Sequence, residues 1–227
     1  MKKLLISGYL IAATIFVNGQ ANTAGTVHVG AGFGVLLGGA RIETNLPYVK
    51  DDGISVGARF HPGIRAQYSF HNMLSAGIYL RSESAGYIST LEDEYGNSYD
   101  RTFTARGLGV GAELKFYFLN KDKFLMYLAP SLGFAKSNDN DDFTDDSYYN
   151  SYEGGGDGKS TGTEFGLTFG FNWYWAKFIG MSLDVGVNRV SMKGEFDNIT
   201  PSAYSDYTVK GVNFVFGLGL VSKFGGN

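Results

Sequence analysis

The chain has 227 residues, a formal net charge of −3, no Cys, 4 Pro, 33 Gly, 18 Phe, 15 Tyr and 2 Trp. The slight acidic excess excludes the basic footprint of a nucleic-acid binder, and the missing Cys excludes a disulfide scaffold. Beyond the N-terminus no apolar run reaches the ~18 residues of a spanning helix, which excludes a polytopic helical membrane protein.

Lys2 and Lys3 precede an apolar stretch from Leu4 to Val17, and small and polar residues follow it. This is the layout of a secretory signal peptide, too short to span and basic only at its start. Residues 1–21 are the expected leader, with cleavage between Gly19 and Ala24, and residues 26–224 are the expected barrel.

Eight segments then alternate with period 2, the signature of strands with two unlike faces. Their apolar faces begin with Val27, Val29, Phe33, Val35 and Leu37 in the first and Ile54, Val56, Phe60, Ile64, Tyr68 and Phe70 in the second. Leu74, Ile78 and Leu80 mark the third, Leu108, Val110, Leu114, Phe116 and Phe118 the fourth, and Phe124, Met126, Leu128, Leu132 and Phe134 the fifth. The sixth has Phe165, Leu167, Phe169, Phe171 and Trp173 opposite Gly162, Glu164, Gly166, Gly170 and Asn172. Met181, Leu183, Val185 and Val187 make the seventh, and Val212, Phe214, Phe216, Leu218 and Leu220 the eighth. Segments of ~9–11 residues suffice for tilted transmembrane strands.

Connections alternate in length. Phe70 to Met73, Leu119 to Lys123 and Tyr174 to Phe178 are tight, whereas Gly38 to Gly53, Glu83 to Arg101, Lys136 to Thr161 and Val190 to Thr208 read as long polar loops. Tight turns on the periplasmic side and long loops outside are the habit of outer-membrane barrels. Tyr68, Phe70, Phe116, Phe118, Phe124, Phe171 and Trp173 end the apolar stripes near the tight turns and predict a periplasmic aromatic girdle. So many bulky side chains would not fit inside eight strands, which argues against an apolar-in soluble barrel.

The opposite face carries Arg59, Arg65, Arg81, Glu113, Lys115, Glu164 and Asp184, with Gln67 and Tyr79 among them. Buried charges need partners, so these residues predict an interior salt-bridge network that fills the lumen, with the glycines of the first segment leaving room. A charged conduction path is the alternative. His28 and His61 fall on the inward face and His71 in a turn; Ser55 and Ser69, on the strand of His61, lie too far along the chain to bond it, and no catalytic residue is assigned. Asp139, Asp141, Asp142, Asp145, Asp146, Glu153 and Asp157 crowd residues 138–158 without the EF-hand spacing, so this stretch reads as a solvated loop and no metal site or cofactor is assigned. Tyr148, Tyr149 and Tyr152 in it suit partner contact.

Leader, alternation, turns and the terminal aromatic Phe224 together resemble the outer-membrane protein beta-barrel domain family, porin-like relatives of the OmpA transmembrane domain and OmpX. Here Gly225, Gly226 and Asn227 follow that aromatic. The resemblance spans Thr26 to Phe224 and implies an all-β, eight-stranded antiparallel up-and-down transmembrane barrel with short periplasmic turns and long extracellular loops. It implies outer-membrane lipid and the barrel assembly machinery as partners, and an extracellular or envelope protein partner at the long loops. The expected function is a structural or surface-interaction barrel of the outer membrane that is not an enzyme. A narrow pore or conduit for small solutes or apolar ligands is the second reading, and a lipid-modifying enzyme the third.

Overall fold

A computed structural model describes residues 22–44, 49–50, 55–93, 98–144, 153–197 and 206–225. The expected leader, Ile54, and the Asp145, Asp146, Tyr148, Tyr149 and Tyr152 side chains lie outside the described residues.

Eight strands form the barrel: β1 (Val27–Thr44), β2 (Ser55–His71), β3 (Leu74–Asp93), β4 (Ser98–Lys121), β5 (Phe124–Thr144), β6 (Glu153–Tyr174), β7 (Ile179–Phe196) and β8 (Asp206–Phe224). Each pairs antiparallel with its sequence neighbour, and β1 also pairs with β8 from Val27 opposite Phe224 to Thr44 opposite Tyr207. The sheet closes on itself, so no long edge is left to satisfy in lipid. Val49 and Lys50 add a two-residue ladder against Asp93 and Glu92. The first two tight turns each reverse the chain through two residues, between His71 and Leu74 and between Lys121 and Phe124, each beside a register shift that bends the strand.

The outward face is apolar along the turn side of every strand. Val29, Phe33, Ile64, Leu80, Leu114, Leu132, Leu167, Val185 and Phe216 are among the large apolar residues left exposed there. A soluble protein does not tolerate a continuous apolar belt of this kind, whereas lipid requires one. Tyr68, Phe70, Phe116, Phe118, Phe124 and Trp173 are exposed on this belt near the turns, and Phe171 is half-buried beside them. Trp173 stacks on Phe124 with centroids 6.3 Å apart.

The strands run well past the belt. At 17 to 24 residues they exceed the ~9–11 that a tilted crossing needs, so much of what the sequence offered as long loops is strand. Glu83, Arg101, Asp139, Asp141 and Asp157 all sit in ladders. The physical reason is an inversion of the two faces. Above the belt Ala85, Tyr87, Phe103, Val190, Met192 and Val209 point inward and are buried, while Thr102, Asn138, Lys193 and Lys210 point out. Lipid sets the pattern below, and water outside with an apolar core sets it above.

Candidate functional site

The lumen is filled at four levels. At the turn end, Tyr117, Leu125, Tyr127, Ala129, Tyr174 and Val221 pack together. His28 joins them, with Nδ1 2.9 Å from the Tyr174 hydroxyl and Nε2 2.8 Å from the Asn22 Oδ1. Asn22 is itself buried and acts as a clasp. Its Nδ2 donates to the Asn72 carbonyl (3.0 Å), its backbone N to Asn120 Oδ1 (3.1 Å), and its Oδ1 accepts from Ser69 Oγ (2.6 Å).

The second level is ionic. Arg65 on β2 donates through Nη2 to Asp184 Oδ2 on β7 at 2.8 Å, and the Tyr127 hydroxyl on β5 donates to Asp184 Oδ1 at 2.6 Å. Gln67 donates to Glu113, and Lys115 lies 4.0 Å from Glu113 Oε1 and 4.0 Å from the centre of the Tyr127 ring. At the third level Arg81 on β3 binds Glu164 on β6 and, at 2.7 Å, Glu83 on its own strand. The Tyr79 hydroxyl donates to Glu164 at 2.6 Å, and Arg59 binds Glu83. Each carboxylate in this pair of levels accepts from at least one donor, as charges withdrawn from water require.

Glycines make the slots for these side chains. A Cβ at Gly170 would stand 2.1 Å from the Tyr127 ring, and one at Gly133 would stand 2.3 Å from the Tyr79 hydroxyl. Only a residue without a side chain lets either Tyr reach across the sheet to its carboxylate.

The top level mixes an apolar cluster around Phe103, Met192, Phe196 and Tyr207 with two buried acids. Arg101 grips Asp141 with Nε at 2.9 Å and Nη2 at 2.7 Å, and its Nη1 reaches the Ile42 carbonyl across the barrel at 3.2 Å. The Tyr207 hydroxyl donates to Asp139, which also accepts from Ser137 Oγ at 2.5 Å. Burial first, and then the bond to Asp139, push the Tyr207 phenol above its ordinary range. Asp139 and Asp141, expected on a solvated loop, are therefore core acids with partners.

All seven charged residues expected inside are in the lumen, but the sequence did not disclose which meets which. Arg65 with Asp184 and Arg81 with Glu164 each join strands three apart around the ring. Glu83, Arg101, Asp139 and Asp141 were missed as network members because the apolar stripe ends below them. Their signal was available: at each of these positions the period-2 alternation continues with polar neighbours facing out. Between the second and third levels a cavity of about 90 Å³ remains, bordered by His61, Arg65, Tyr79, Arg81, Glu113 and Asp184. That is room for a few waters. None of the three His bonds a Ser or an acid among the described residues; the backbone N of Met73 donates to His71 Nδ1 at 3.1 Å.

Solved structures place this barrel in a class. The outer membrane protein OprG from Pseudomonas aeruginosa aligns with 92% of this chain and 100% of its own, at TM-score 0.61 and 13% identity. The outer membrane protease OmpT from Escherichia coli aligns with 88% of this chain and 97% of its own, at TM-score 0.53 and 10% identity. No protein-family model and no curated protein matches the sequence. At such identities the likeness is one of fold. The fold, with its apolar outer belt, is that of an integral outer-membrane β-barrel, closed, antiparallel and eight-stranded, as the resemblance to the OmpA and OmpX barrels implied.

Proposed function

We propose that this protein is a closed outer-membrane barrel with a structural or surface-interaction role, exported by the leader at residues 1–21 and presenting its polar upper half and loops to the outside. The observation that carries the reading is the pair of ionic chords across the lumen, Arg65 to Asp184 and Arg81 to Glu164, with packed side chains above and below them. A solute would have to break both chords and displace Tyr127 and Tyr79. An eight-stranded barrel has an interior only wide enough for such filling. Outer-membrane lipid along the belt, assembly machinery reading the terminal strand, and an envelope or extracellular protein at the loops are the partners this role entails; no cofactor, metal or catalytic step belongs to it. Purified protein in planar bilayers should give no steady unitary current. Reproducible unitary conductance would replace this reading with that of a narrow pore.

A further inference from the structure

Acceptors and donors are unequally used around the cavity of about 90 Å³ between the second and third levels. The carboxylates of these levels are already answered. Among the described residues, seven of the eight oxygens of Glu83, Glu113, Glu164 and Asp184 accept a bond, and Glu113 Oε2 is the one left over. The guanidinium groups are not. Each carries five N–H donors; Arg65 uses one, on Asp184, and Arg81 two, on Glu83 and Glu164. A third of the Arg65 side chain stays open, and the cavity lies against it.

Further donors face the same space. The hydroxyls of Ser131 on β5 and Thr168 on β6 border the cavity and make no hydrogen bond among the described residues. Asn188 on β7 is 4% exposed and its Oδ1 lacks a partner. Ser131 and Asn188 share the room left by Gly166, where a Cβ would stand 2.5 Å from Ser131 Oγ and 3.8 Å from Asn188 Nδ2. Both arginines are held in place from behind. A Cβ at Gly30 would stand 3.2 Å from Arg65 Cγ, and one at Gly109 would stand 3.3 Å from Arg81 Nε.

We propose that this cavity is a binding site for one small monovalent anion of halide size, held between the unused N–H groups of Arg65 and Arg81, with the Ser131 and Thr168 hydroxyls completing its shell. The inference rests on the closed-lumen reading above and deepens it. A cation would need free oxygens, and the acids have one to offer. Arg59, Arg65, Arg81 and Lys115 balance the four acids in charge, so the anion is held by donors fixed before it arrives and aimed at one spot, not by a net field. A halide is little larger than a water, so room remains for water to reach Asn188 Oδ1 and Glu113 Oε2. Bound there, the ion joins the two chords, Arg65 to Asp184 and Arg81 to Glu164, into one layer.

The test uses the full barrel refolded in sodium bromide and, at the same ionic strength, in sodium gluconate, whose anion is too large for the space. Crystals of the bromide sample, measured at the bromine absorption edge, should show an anomalous peak in the lumen between Arg65 and Arg81. In vesicles, the urea midpoint in bromide relative to gluconate should rise with the logarithm of bromide concentration, as a site filling in the folded state requires. The variant S131A/T168V removes both hydroxyls and touches neither chord. It should need about tenfold more bromide for the same rise, the loss expected for a bond to an ion, while keeping the heat-modifiable gel mobility of a folded barrel. A lumen without the peak means water alone and overturns the proposal. A rise that S131A/T168V retains in full means ions acting at the surface and overturns it too. Steady conductance in planar bilayers would remove the closed-lumen reading itself, whereas a silent barrel with no bromide inside removes only the site.

Discussion

Asp184 accepts from Arg65 at 2.8 Å and from the Tyr127 hydroxyl at 2.6 Å, and so joins three strands through one carboxylate. Asp184→Asn keeps the shape and removes the charge that answers Arg65. Breaking a buried pair by neutralising one member costs about 3–5 kcal/mol; a third of the Arg65 side chain stays open, and the cavity lies beside it, so the low end is expected. Urea unfolding in lipid vesicles measures it. An unchanged midpoint would mean that the chord is not needed to hold the interior.

At the scale of the strand, the two faces were legible in unequal measure. The outward stripes from Val29 through Leu220 and the tight turns at Asn72 and Asp122 could be read directly, because lipid imposes one strong period. The upper half could not, because there the inward residues Tyr87, Phe103 and Val190 become the apolar ones and the sign of the alternation flips. Cross-lumen partners were hidden for a different reason: barrel shear offsets strands by amounts that no single strand encodes. Within β6 the slot at Gly170 is a local matter. Gly170→Ala places a Cβ 2.1 Å from the Tyr127 ring and should destabilise by about 1–3 kcal/mol through overpacking. If that substitution is paired with Tyr127→Phe, the loss should persist, since the ring and not its hydroxyl is displaced; recovery in the double variant would refute the steric account.

For the whole molecule, Asn22 matters beyond its size, because it ties the start of β1 to the turns at Asn72 and Asn120 through bonds that bridge up to 98 residues. Asn22→Ala keeps the two backbone bonds to Asn120 but leaves the buried Ser69 hydroxyl and His28 Nε2 without their shared acceptor and takes one donor from the Asn72 carbonyl, and should cost about 1–3 kcal/mol. Hydrogen exchange should rise at the turn end and stay unchanged around Phe103 and Met192; uniform loosening would contradict a local clasp. The seam between β1 and β8 has a wider consequence. It joins Val27 to Phe224, so the first strand to emerge waits for the last before either has both neighbours. Loop-closure entropy makes that contact the costliest of the fold to form, and until it forms two edges remain open to any passing strand. Assembly of this protein is therefore an end-dependent event: a chain truncated within β8 keeps seven strands of intact ladder and still has no barrel.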